Sequence, residues 1–246
     1  MRSAVHLRLQ VNGLVMITKD EINWLAENFP HLTINETEDV IEGVLNYTSV
    51  YDKEANSFTA FLNPDIVYSG VVLSGEYRIK IIKNKKERRA PKLHVYTDES
   101  KWIPKRHFFD TGDGRACFAG PAEEDNLFAR GYCFLEYFER FVIPFLYAQS
   151  YFDEYRKWPW FAYDHNAAGI LQSFKNSDGT KSQVLACLTR LKASKQWTTI
   201  EYVLRGHFDG KKCLCGSGQM MNKCHTNLIF VARDFYKAVE SHGLSL

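Results

Sequence analysis

Polar and apolar positions follow two rhythms along this chain. Between Gly70 and Thr97 they alternate with a period of two. Within Gly70–Lys83, Tyr77, Ile79 and Ile81 would face one way and Arg78 and Lys80 the other. Lys92-Leu-His-Val-Tyr-Thr97 repeats the alternation after Pro91. Val40-Ile-Glu-Gly-Val-Leu-Asn-Tyr47 is rich in branched residues and predicts a preceding strand. The three make an antiparallel meander with one wet face, with the basic turn Lys83-Asn-Lys-Lys-Glu-Arg-Arg89 joining the last two.

Helical spacing governs most of the rest. Over 18–32, Thr18 can cap, Glu21 follows three residues later, and Ile22, Leu25 and Phe29 form a face that Pro30 ends. Asn126–Tyr155 carries a broad stripe of Phe128, Phe134, Leu135, Phe138, Phe141, Val142, Phe145 and Leu146, which Pro144 should kink or divide. Residues 166–174 and 180–205 predict two further helices. Between strands and helices, Lys101–Asp125 reads as an irregular loop with Pro104, Pro121, several glycines and the acidic triplet Glu123-Glu124-Asp125. A long structureless stretch inside a compact domain usually serves function. Helix, strands, long loop, then helices is an α+β order.

Composition changes this picture little. The chain has 246 residues, 45% hydrophobic and 24% charged, as expected of a soluble globule. Its formal net charge of +2 gives no global pull toward nucleic acid or an anionic membrane. No apolar run is long enough to predict a transmembrane helix, and the polar residues within Met1–Arg8 argue against a signal peptide. Six cysteines, at least three of them spaced for metal, point to a reducing cytoplasm and not to disulfides.

The most specific chemistry lies near the end. Cys213, Cys215, Cys224 and His225 are spaced C-x-C-x8-C-H, a complete donor set for a tetrahedral structural Zn²⁺ with no open position. Gly216 and Gly218 relieve the backbone there, and Lys211, Lys212 and Lys223 can offset the thiolate charge. A helix should follow from Asn227. With its Cys-Gly-Ser-Gly core and terminal Cys-His, the segment resembles the SEC-C motif, with Leu214 where proline is usual. That resemblance implies zinc and a docking role.

A second constellation surrounds Cys117, in His107-Phe-Phe-Asp-Thr-Gly-Asp-Gly-Arg-Ala-Cys117-Phe. Glycines and charges flank this thiol, whereas Cys133 and Cys187 sit in apolar helical contexts and read as buried. The helix, the meander, Pro91, then His107 and Gly114-Arg-Ala-Cys117-Phe together resemble bacterial ubiquitin-conjugating-enzyme-like proteins over residues 18–175. The downstream Tyr147-Ala-Gln-Ser-Tyr-Phe, Trp158-Pro, His165 and Gly169-Ile resemble that group's helical tail. Two features depart from the family: no asparagine follows His107, and Pro91 stands alone.

The resemblance implies a ubiquitin-conjugating-enzyme-like domain with helical tail over 1–175; the helical pattern and the cysteine motif then predict a helical linker over 176–208 and the zinc module over 209–246. It implies that Cys117 accepts a protein C-terminus as a thioester and passes it to an amine, with His107 as the flap anchor. Asp113 is the favoured carboxylate near the incoming amine, from a set that includes Asp110, Glu123, Glu124 and Asp125. The implied partner is a nucleotidyltransferase C-terminus or a ubiquitin-like protein, in a setting of antiphage defence, and no membrane. The competing expectation is a catalytically dead adaptor. Nucleic-acid binding through Lys83–Arg89 is the weakest, since a solvated turn accounts for that run. His94 reads as a strand histidine with no partner in sequence, and His165 as a brace for the tail.

Overall fold

The computed structural model describes residues 19–35, 39–83, 91–109, 111–129, 134–160 and 163–246. It is a mixed α/β structure with an antiparallel sheet and several helices, divided into two compact units. One unit comprises Met1–Phe118 with Arg130–Trp160, and the other Ala119–Ala129 with Phe161–Leu246.

The first unit opens with helix α1 (Lys19–Asn28), which stops short of Pro30. Thr18, its expected cap, lies outside the described residues. Five strands follow among the described residues: β1 (Leu32–Asn35), β2 (Val40–Asp52), β3 (Ser57–Thr59), β4 (Val71–Ile82) and β5 (Lys92–Tyr96). They run in the order β1-β2-β4-β5, with β3 on β2, and every pairing is antiparallel. The register sets Ile41 opposite Ile81 and Leu45 opposite Tyr77. Ile79 and Ile81 are fully buried while Arg78 on the alternate face is exposed, as the period of two requires. The turn after Lys83 lies outside the described residues.

The buried face packs against the aromatic helix α4 (Ile143–Tyr155), which α3 (Phe134–Tyr137) precedes. Between them, Phe138–Val142 form a π-helical turn closed by Ile143 N–H donating to Phe138 C=O. Proline has no N–H, and its ring crowds the carbonyl four residues back. The wider turn before Pro144 absorbs both demands, so the helical path continues instead of dividing. Tyr47 and Tyr77 hydroxyls meet Ser150 at 2.7 and 2.9 Å, which satisfies three polar groups at that packing surface.

The second unit is helical: α2 (Pro121–Ala129), α5 (Asn166–Lys175), α6 (Lys181–Lys192), α7 (Trp197–Leu204), α8 (Met221–Cys224) and α9 (Thr226–Ser241). Leu171, Val184, Leu188, Ile200, Leu228 and Phe235 share one core with Cys213, Leu214 and Met221. Two expectations are corrected by that core. Residues 176–208 are not a linker, because α6 and α7 bury Val184, Leu191 and Val203 in it. Residues 209–246 are not a separate module, because the cysteine segment is packed into the same core. The single helix expected over 180–205 is two helices. Glu123, Glu124 and Asp125 are also placed differently: Pro121 opens α2, so the triplet is helical and not part of an irregular loop.

Candidate functional sites

Each unit carries one concentration of chemistry. In the first, the chain leaves β5 through two short 3₁₀ turns, Glu99–Lys101 and Pro104–Arg106, and reaches His107 in the left-handed region at φ 57°. It then doubles back. Phe109 N–H donates to Arg115 C=O at 2.9 Å, and Cys117 N–H donates to His107 C=O at 2.7 Å. The returning limb also pairs with β5: Val95 N–H donates to Gly114 C=O, and Ala116 N–H to Leu93 C=O. Backbone hydrogen bonds therefore fix the main chain of Cys117 beside that of His107, at the margin of a sheet. The Cys117 side chain is half-buried.

Gly114 is required in this loop. Its φ is +69°, and a Cβ there would lie 2.5 Å from Val95 O and 2.9 Å from the Trp102 ring. Trp102 Nε1 donates to the same Val95 carbonyl at 3.0 Å. The loop's origin is held by Arg106, which is buried. Its Nη1 reaches Asp153 Oδ1 at 2.6 Å and its Nη2 reaches Gln149 Oε1 at 2.8 Å, both on α4. Burial disfavours the charged form of Asp153, but hydrogen bonds from Arg106 and Lys101 outweigh it and hold the carboxyl below its usual range.

The predicted site residues fall as follows. Cys117 and His107 are brought together through the backbone. The His107 ring stands edge-on to Trp158, with centroids 5.0 Å apart. Asp113 is engaged by its own loop: it accepts from Thr111 Oγ1 and from Arg115 N–H, and its Oδ2 lies 3.5 Å from His94 Nδ1. Asp110 lies outside the described residues. Glu123 accepts from Gly120 N–H and the Tyr163 hydroxyl, and Glu124 pairs with Arg190, all within the second unit. Arg115 lies over the Phe109 ring at 4.4 Å.

The second concentration is the cysteine segment. Cys213, Cys215, Cys224 and His225 offer four ligand atoms that all lie within 4.8 Å of one another and could hold one metal ion. Ideal tetrahedral bonds of about 2.3 Å to sulfur and 2.0 Å to nitrogen would separate sulfurs by about 3.8 Å and sulfur from nitrogen by about 3.5 Å. Cys215 and Cys224 Sγ are 3.7 Å apart, and His225 Nδ1 is 3.2 Å from both Cys213 and Cys224 Sγ. Donor set and spacing therefore fit a four-coordinate ion. Burial raises the Cys213 thiol pKa. Cys215 is drawn down despite its own burial, because the Ser217 hydroxyl and backbone favour its thiolate.

The local fold explains the approach of these ligands. Cys213 N–H donates to Gln219 C=O at 2.7 Å and Met221 N–H to Lys211 C=O at 3.0 Å, which closes a tight knuckle. Helices α8 and α9 then carry Cys224 and His225 to its far side. Sequence reasoning missed Asp164, whose Oδ2 lies 2.9 Å from His225 Nε2. It also missed the Asp113 partner of His94.

No family model, no curated protein and no solved structure matches this chain. No helix among the described residues is long and apolar enough to cross a membrane.

Proposed function

We propose that the chain is a ubiquitin-conjugating-like acyl transferase whose second unit is held by a structural zinc ion. In this reading Cys117 Sγ attacks the C-terminal acyl group of a protein already activated at the expense of ATP on a partner protein, and the partner's carrier group leaves as the thioester forms. An amine of the acceptor then attacks the acyl carbon, forming an amide and releasing the Cys117 thiol. The observation that carries it is the pairing of Cys117 N–H with His107 C=O at the end of a doubled-back loop flanking an antiparallel meander. Such an arrangement holds a thiol at a defined place without burying it, which acyl transfer needs. His107 serves as an anchor through its backbone and its contact with Trp158. Asp113 shapes the loop through Thr111, Arg115 and His94, and its carboxylate is the candidate for receiving the proton of the incoming amine. The acyl donor is a ubiquitin-like protein or a nucleotidyltransferase C-terminus, in antiphage defence.

Zinc would be held by Cys213, Cys215, Cys224 and His225, and with all four positions taken by protein it supplies folding energy and no chemistry. The experiment for the transfer reading mixes the protein with ATP and the proteins encoded beside its gene. A covalent adduct that thiols cleave is expected with the native chain. Cys117→Ala should form none, and Cys117→Ser at most a thiol-resistant ester. An adduct unchanged by Cys117→Ala overturns the reading.

One set of observations favours a second reading, an inactive adaptor. Phe108 is buried and Phe109 lies under Arg115, so the positions after His107 carry packing residues and no oxyanion donor side chain. The two readings part on the reactivity of Cys117.

A further inference from the structure

The two ring nitrogens of His225 face different partners. Nδ1 lies 3.2 Å from the sulfurs of Cys213 and Cys224, and Nε2 lies 2.9 Å from Asp164 Oδ2. A carboxylate accepts hydrogen bonds, so Nε2 carries the hydrogen and Nδ1 turns its lone pair toward the sulfurs. Asp164 is itself fixed. Gln172 Nε2 donates to the same Oδ2 at 2.6 Å, and Asp164 N–H donates to Gln172 Oε1 at 2.7 Å. Gln172 is buried on α5. Gly169, one turn earlier on α5, lets the Asp164 backbone come this close: a Cβ there would sit 1.8 Å from Asp164 O. The same segment grips the knuckle directly. Asn166 Nδ2 donates to Cys215 C=O at 3.2 Å, and Ala168 N–H to Leu214 C=O at 3.4 Å.

We infer that Asp164 is a positioning residue for the metal centre, fixing the tautomer and ring plane of His225 and tying any ion held by the four ligands to helix α5. The inference rests on the proposed metal site and is independent of the chemistry at Cys117. His225 is the one ligand of the four whose donor atom depends on which nitrogen bears hydrogen. A partner at Nε2 removes that choice before the ion arrives. The chain Gln172–Asp164–His225 therefore makes part of the ligand geometry a property of α5, far upstream of the cysteine segment.

The test uses the full chain, reduced, with Zn²⁺ in competition against a chromogenic chelator, and the visible spectrum of the Co²⁺-loaded protein as a second readout. Asp164→Ala should weaken Zn²⁺ binding about 10–100-fold, the range seen when such outer partners are removed. Asp164→Asn, which keeps the shape, should weaken it in the same direction, and Asp164→Glu should recover part of the loss. Gly169→Ala should mimic the defect by displacing the Asp164 backbone. The Co²⁺ bands of Asp164→Asn should shift, which a purely structural role in unit folding would not cause. Zn²⁺ affinity within about twofold of the native chain in both Asp164→Ala and Asp164→Asn, with unshifted Co²⁺ bands, overturns the inference while leaving the metal site standing. A native chain that takes up no stoichiometric Zn²⁺ overturns the metal site itself, and this inference with it.

Discussion

A carboxylate wedged against a buried guanidinium is held in its charged form, and Asp153 beside Arg106 is such a case. Its folded pKa lies below the unfolded value of about 3.9. The stabilisation is therefore fully present above that value and is lost as pH falls through the lower folded pKa. Asp153→Asn should destabilise the first unit by about 3 kcal/mol at neutral pH, because Arg106 keeps its burial and loses its counter-charge. The deficit relative to the native chain should shrink below about pH 4, as the native carboxylate also takes up a proton. Urea titrations at several pH values give both numbers, and a deficit that is constant down to pH 2 would contradict the assignment.

Thiols differ in reactivity according to how deeply they are buried. Burial pushes the Cys187 pKa up to about 12, so little thiolate exists there at neutral pH. Cys117 is half-buried at a loop margin. Brief alkylation of the Zn²⁺-loaded protein, followed by peptide mapping, should modify Cys117 and leave Cys187 intact. Equal labelling of the two would remove the accessible thiol on which the transfer reading depends and would leave the adaptor reading ahead.

At the scale of elements, the loop from His107 to Cys117 is a hairpin strapped to β5, and Gly114 is its tightest point. Gly114→Ala should cost about 1–3 kcal/mol for the left-handed backbone, with further displacement from the contact with Val95 O. Limited proteolysis should then nick this loop sooner than in the native chain, and unchanged protection would mean the loop has another support. Elements of this kind also show what could be read in advance. Strand β4 was legible because its more deeply buried face imposes a period of two, β5 from its alternating sequence, and β2 because branched residues cluster there, although β2 and β5 bury neighbouring residues on both faces. The four-residue β1 was not, because too few positions exist to establish a period. Pro121 misled for a physical reason: proline reads as a breaker, yet at the first turn of a helix its missing N–H costs nothing. Glu123 accepting from Gly120 N–H completes that start. The four candidate ligands were legible since all lie within a short run whose spacing is itself the signal. Asp164, Gln172 and the His94–Asp113 contact were not, because tertiary packing alone brings them to their partners.

At the scale of the whole chain, the placement of the cysteine segment decides what an ion would do. Cys213 and Leu214 are buried in the same core as Leu171, Val184, Leu228 and Phe235. The knuckle accepts backbone and side-chain hydrogen bonds from the start of α5, and its last ligand opens α9. Ligands packed into and against a hydrophobic core bind well only when that core is formed, so the affinity for an ion would add to the folding energy of the second unit. At free Zn²⁺ a thousandfold above the dissociation constant, the gain is about 4 kcal/mol. Chelation under reducing conditions should therefore lower the melting transition of the second unit and diminish its helical circular dichroism. All four ligands belong to the second unit, so the sheet of the first should keep its own transition. Hydrogen exchange resolves the two. Amides of α5, α8 and α9 should lose protection on chelation while those of β2 and β4 keep theirs. Protection lost equally in β2 and β4 would show that the units unfold together, and protection retained in α9 would show that the core stands without the ion.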